Sequence, residues 1–292
     1  MRLGNAHNAF WCRARTPLRM NGRIGASAII FAVLAICCSA GNAVAAIPDV
    51  EMWRLDCGQF KEFDIEGMSD VFSYPGRKKT LSDGCYLIRH DKQLMLWDTG
   101  LPPSSMGQPI GLKQTLSVQL QRIDIRPSQI SIVGLSHWHF DHTGQAALFP
   151  KARLLIGKAD FDYLAGKREG ATPEDIAPWL GLNADVEKVV GDEDIFGDGS
   201  VIMLATPGHT DGHHSLLVRL PTFGPVVLSG DLWHFSEQLA NNGVPPENVS
   251  RADTLASMDR IRKMVQNLKA TLVIQHEASD IDKLPIFPAS AH

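Results

Sequence analysis

The chain has 292 residues, enough for one large domain or two small ones, and its 44% hydrophobic content supports a full apolar core rather than disorder. A formal net charge of −4 leaves no basic field for nucleic acid, so that class of partner is excluded. No internal repeat or low-complexity tract interrupts the chain.

Arg13, Arg15, Arg19 and Arg23 precede a mainly apolar run from Ile24 to Ala40, and Gly41 to Ala46 supply small residues where a signal peptidase cuts. That order predicts a secretory signal peptide over residues 1–46, cleaved after Ala45 or Ala46, and a periplasmic or secreted protein. The apolar run is short for a membrane anchor, so no stable membrane insertion is expected after cleavage. Met20 is an alternative start that gives a more ordinary leader. One domain is expected over residues 47–292. Cys12, Cys37 and Cys38 leave with the leader, and Cys57 and Cys85 remain, either as one disulfide or as two separate thiols.

From Gly84 the chain reads as alternating strands and helices. Cys85–Ile88 and Leu94–Trp97 are strands joined by the hairpin signal His90 to Gln93, and Asp98-Thr99-Gly100 closes the second. Leu112 to Ile123 has helical spacing, and Pro127 precedes a buried strand at Ile130–Ser136. A short helix near Gln145–Phe149 and a strand at Arg153–Ile156 follow. A polar, Pro-bearing insertion from about Lys167 to Asp185 reads as a lid or pocket wall. Strands are predicted at Val201–Ala205, Ser215–Leu220, Val226–Ser229 and Thr271–Ile274. A one-faced helix is expected from Ala252 to Leu268, with Leu255, Met258, Ile261, Met264, Val265 and Leu268 inward.

The hexapeptide His137-Trp138-His139-Phe140-Asp141-His142 follows the buried strand directly. Three imidazoles and a carboxylate in six residues are borderline ligands of the kind zinc prefers. Later strands end in further donors: His209 after Val201–Ala205, Asp231 after Val226–Ser229, His276 after Thr271–Ile274. Strand ends along one sheet edge converge on one cavity, so these donors are expected to meet. Trp138, Phe140, Trp233 and Phe235 alternate with them, as channel walls or as core.

These motifs, with Thr206-Pro207-Gly208-His209-Thr210 and Ser229-Gly230-Asp231-Leu232, resemble the metallo-β-lactamase superfamily over roughly residues 80 to 280. The resemblance implies an α+β fold, a four-layer αβ/βα sandwich. It implies two zinc ions per chain, the first held by His137, His139 and His209, the second by Asp141, His142 and His276, with Asp231 bridging. Mn, Co or Fe also suits such mixed donors. True β-lactamases of the superfamily carry Cys or Ser where Asp231 stands, whereas glyoxalase II-like and lactonase-like hydrolases carry Asp.

Within the superfamily the chain is most similar to N-acyl homoserine lactonases, through Cys85 to His90, Leu96 to Pro102 and Ser136 to Gly144. That similarity implies a small-molecule substrate whose lactone ring is opened by a metal-bridging hydroxide, silencing quorum signals, with Asp141 shuttling the proton. The lactonases place a Tyr three residues after the bridging Asp. Here His234 occupies that position, either as a catalytic group donating a hydrogen bond to the substrate carbonyl or as a pocket wall. His213 reads either as a group orienting the His209 loop or as packing beneath it, and His214 invites the same two readings. Another ester, thioester or phosphoester hydrolase is the alternative enzyme, and a metal-binding protein without turnover the alternative class. The complete ligand set argues against the latter.

Overall fold

Side-chain alternation along the strands decides the architecture. The computed structural model describes residues 48–108, 110–166 and 173–292, and the predicted signal peptide lies outside them. Strands β1 (Val50–Asp64), β2 (Lys78–His90), β3 (Gln93–Trp97), β4 (Ile110–Gly111), β5 (Ile132–Leu135), β6 (Arg153–Gly157) and β7 (Val186–Val189) form one sheet. Its order is β4-β1-β2-β3-β5-β6-β7. Strands β8 (Glu193–Asp194), β9 (Val201–Ala205), β10 (His214–Leu220), β11 (Gly224–Leu228) and β12 (Thr271–Val273) form a second, ordered β12-β11-β10-β9-β8. The helices are α1 (Leu116–Gln121), α2 (Phe140–Thr143), α3 (Lys158–Ala165), α4 (Ser236–Asn241) and α5 (Arg251–Leu268).

Tyr86, Ile88, Met95 and Trp97 of the first sheet pack against Met203, Leu216, Val218 and Leu228 of the second. Their strand neighbours Leu87, Leu96, Val133 and Leu154 point the other way, onto Leu116 and Leu120 of α1 and Phe161 and Leu164 of α3. In the second sheet Leu204, Leu217 and Val227 face outward onto Met258 and Ile261 of α5. A strand has period 2, so each sheet buries both faces, and the four-layer sandwich follows.

Strand direction sets where the ligands gather. β3, β5 and β6 run parallel. β9 and β11 both pair antiparallel with β10, and β12 is parallel to β11. The C-terminal ends of β3, β5, β9, β11 and β12 therefore deliver Asp98, His137, His209, Asp231 and His276.

Several boundaries differ from the sequence reading. The helix predicted over Leu112–Ile123 forms only as Leu116–Gln121, because Ile110–Gly111 is drawn into pairing with β1. Gln145–Phe149 closes as a 3₁₀ turn over Ala146–Leu148. Within the predicted lid, Ile176 and Trp179 are buried in the outer core, and Trp179 Nε1 donates to the Ala152 carbonyl at 2.7 Å. Among the described residues none from 174 to 185 lines the metal pocket, and 167–172 lie outside them. Cys57 and Cys85 form a disulfide that ties β1 to β2.

Candidate metal centre

All eight sequence-predicted site residues meet in one place. His137, His139, His209 and Asp231 make one group and Asp141, His142 and His276 another, with donor atoms in each group within 4.8 Å of one another. In the first, His139 Nδ1 lies 2.9 Å from His137 Nε2 and 3.0 Å from His209 Nε2. Asp231 stands between the groups. Its Oδ2 is 3.6 Å from His137 Nε2 and 3.4 Å from His209 Nε2, and its Oδ1 is 3.2 Å from His142 Nε2 and 3.1 Å from His276 Nε2. His142 Nε2 and Asp231 Oδ1 are buried without a hydrogen-bond partner. Buried polar atoms rarely stay orphaned, and imidazole and carboxylate atoms converging at these separations fit a pair of divalent cations.

Four of the five ligand imidazoles are fixed from behind. Ser136 Oγ contacts His137 Nδ1 at 3.0 Å and His142 Nδ1 at 3.1 Å, and Asp98 Oδ2 reaches His142 Nδ1 at 3.0 Å. His209 Nδ1 meets Asn248 Oδ1 at 2.9 Å, and His276 Nδ1 donates to the Ser82 carbonyl at 2.8 Å. Binding one ring nitrogen sets the tautomer and aims the other at the cation. Asp98, Ser136, Asn248 and Ser82 went unassigned in the sequence; of them only Asp98, a carboxylate closing an apolar strand, carried a signal.

Charge is arranged to match. Burial holds the His137 imidazole well below its ordinary range, and His139 is driven down to about 3 by burial and by neighbouring His209. Both are neutral lone-pair donors. Burial also opposes the Asp231 carboxylate, but His276 and His142 outweigh it and keep the acid well below its usual range. Around that anion, His142 is raised well above its ordinary value and His276 to about 9, burial again being overcome, chiefly by Asp231.

His213 takes a role between the two the sequence offered. Its Nε2 accepts the Asp231 backbone N–H at 2.9 Å, and its Nδ1 lies 3.0 Å from the Thr206 carbonyl. It thus positions the carboxylate that stands between the two groups. His214 lies against the Gly212 and Gly191 carbonyls, away from the centre. The His209 loop is held by buried Asp160, which accepts from Thr210 Oγ1 at 2.7 Å and Gly212 N–H at 2.8 Å. Burial raises that acid to about 7. A Cβ on Gly157 would stand 1.9 Å from the Gly212 carbonyl oxygen, so only glycine allows α3 to approach this loop. Gly157→Ala is expected to cost about 3 kcal/mol of stability and weaken metal at the first group. Urea unfolding and metal titration check both; an unchanged unfolding midpoint contradicts the close approach.

The centre opens into a cavity of about 340 Å³ walled by Phe60, Phe63, Met68, Leu81, Ile110 and Phe140, with His234 and Glu247 at its polar side. Of the four aromatics noted in the sequence only Phe140 lines it. Trp233 and Phe235 are core, and Trp138 stacks on Tyr163 at 4.4 Å. His234 Nε2 lies 3.4 Å from Asp231 Oδ2.

Comparison with known proteins agrees with this geometry. The chain is 31% identical over 183 residues to the N-acyl homoserine lactonase AttM of Azorhizobium caulinodans, covering 58% of this chain and 65% of that one. It therefore spans under two thirds of that relative's length. To an N-acyl homoserine lactonase of a Bacillus species it is 28% identical over 230 residues, 73% of this chain and 88% of the relative. The solved quorum-quenching N-acyl homoserine lactone lactonase superposes with a TM-score of 0.71 at 23% identity, covering 82% of this chain and 97% of that one, a likeness of fold. The family profile described as metallo-beta-lactamase superfamily matches residues 84–276, well over half of the sequence, and the chain belongs to that superfamily.

Proposed function

We propose that the protein is a dinuclear metal hydrolase that opens the ring of N-acyl homoserine lactones. The observation that carries this reading is Asp231, whose two oxygens address two complete ligand groups at the floor of an apolar pocket. The curated relatives named as lactonases support it. Zinc suits the donor set, and two zinc ions would activate a shared water and polarise an ester carbonyl at neutral pH.

The chain's own residues supply the rest. Phe60, Phe63, Met68 and Phe140 exclude water and seat an acyl chain. Gln238 donates through Nε2 to the Met68 carbonyl at 3.0 Å, which turns its Oε1 toward His234 Nδ1, 3.3 Å away. With Nδ1 thus donating, the neutral His234 ring presents a lone pair at Nε2, and burial favours the neutral form. His234 and Asp141 are the groups placed to take the proton of the attacking water and return it to the ring oxygen. This makes His234 an acceptor rather than the carbonyl donor the sequence suggested.

Glu247 and the absence of Lys or Arg from the described lining disfavour polyanionic substrates, so phosphoesters and glutathione thioesters fit the pocket poorly. Export to the periplasm or beyond is part of the proposal, supported by the leader-like N-terminus and the Cys57–Cys85 disulfide. Zinc-loaded protein should hydrolyse N-acyl homoserine lactones with a kcat/KM about 10²-fold or more above that for phosphodiesters and glutathione thioesters. Parity, or preference for either anion, overturns the reading.

A further inference from the structure

A second cavity, about 430 Å³, lies between β1, β2, α1 and the segment 278–287. Among the described residues it shares no lining residue with the metal pocket. The two cavities sit on opposite sides of the β1–β2 ribbon: Phe60 and Leu81 line the metal pocket, while their strand neighbours Gln59, Thr80 and Ser82 line this cleft.

Three cations face into it, Arg54, Lys113 and Arg122, against one carboxylate, Asp56. Asp56 is already engaged, with Oδ2 3.6 Å from Lys113 Nζ and Oδ1 accepting the Gly58 N–H at 3.3 Å. Arg54 is half-buried and lies on its cross-strand partner Tyr86, bonded to the phenol. The Arg122 guanidinium sits over the Phe287 ring, 4.9 Å from its centroid. Among the described residues neither arginine forms an ion pair. Arg54, half-buried without a counter-ion, carries a desolvation cost, and the planar fork of each guanidinium matches an oxyanion.

The other wall is apolar, formed by Ile281, Pro285, Ile286 and Phe287, with Ile286 73% exposed at the rim. Gln119 clamps the polar wall in place. Its Oε1 accepts the Asp56 N–H at 2.9 Å and its Nε2 donates to the Asp56 carbonyl at 2.8 Å.

We propose that this cleft is a binding site for an amphipathic organic anion, a carboxylate carrying a short acyl tail. Arg54 and Arg122 bind the carboxylate, and the Ile281–Phe287 wall covers the tail. The volume suits a small molecule rather than a macromolecular partner. The site does not depend on the chemistry assigned to the metal centre.

The test is calorimetric titration of the metal-loaded protein with sodium octanoate, with 1-octanol and inorganic phosphate as comparison probes. Octanoate should bind the wild type and weaken about tenfold or more in Arg122→Gln and in Arg54→Gln, a loss of roughly 1.4 kcal/mol or more. Octanol and phosphate should each bind at least about tenfold more weakly than octanoate. Lactone hydrolysis without octanoate should be unchanged in Arg122→Gln, whose side chain is exposed and lines no part of the metal pocket. Octanoate affinity indifferent to Arg122→Gln, as for binding at the metals, overturns the proposal. So does phosphate or octanol binding as tightly as octanoate.

Discussion

Asp231→Ala is expected to lower lactone hydrolysis by on the order of 10³-fold or more and to strip at least one metal from the centre. The carboxylate is 3% exposed, and its two oxygens approach the inward-facing nitrogens of both ligand groups. Without it, two divalent cations would face each other across a buried space with no carboxylate between them, a repulsion that the low-dielectric interior magnifies. Asp231→Asn preserves volume and the backbone contact to His213 but not the charge. It should lose nearly as much activity while keeping the fold. Steady-state kinetics and metal analysis on both variants read this out. Activity within tenfold of wild type, with both metals retained, would contradict the bridging role.

Asp98→Ala should be the most damaging change outside the ligands themselves. Asp98 is fully buried, accepts the Ser136 N–H through Oδ1 at 2.7 Å, and reaches His142 Nδ1 through Oδ2. Truncation leaves the Ser136 N–H unsatisfied in the core and His142 Nδ1 with Ser136 Oγ as its remaining partner, and losing the carboxylate from this buried group costs about 3 kcal/mol. Affinity at the second group should fall about 10–100-fold, because His142 loses the charged one of the two contacts that fix its ring. Asp98 also has a φ of +56°, where Asn is tolerated better than Ala. Asp98→Asn should therefore keep most of the stability while still weakening the metal. Urea unfolding and competitive metal titration separate the two effects. If the Ala variant unfolds at the wild-type midpoint, Asp98 is not the support described here.

Much of the centre was legible because its ligands follow apolar strands that bury both faces, a pattern that survives in the bare sequence. The hexapeptide 137–142, His209, Asp231 and His276 each stand just beyond such a run. What holds those ligands was less visible. The Ser82 carbonyl that accepts from His276 has no side-chain signature, and Asn248 reaches His209 only through tertiary folding.

The longest strand, β1, went unread for a different reason. Arg54, Asp56, Lys61 and Glu62 break its alternation, and register shifts fall between Asp56 and Gly58 and between Phe60 and Phe63. Its stability comes from pairing with β2 and from the disulfide, both long-range contacts. The Cys57–Cys85 pairing was equally open, since 28 residues separate the two and only the strand pairing brings their Cα atoms to 5.7 Å. The pocket wall was misplaced too: the Pro-bearing insertion supplies core, and β1 and β2 supply Phe60, Phe63 and Leu81.

Zinc-edge anomalous diffraction on crystals of the zinc-loaded protein tests the dinuclear centre most directly. Two peaks are predicted per chain, one against His137, His139 and His209, the other against Asp141, His142 and His276, with Asp231 touching both. A single peak, or none, in fully active crystals would contradict it.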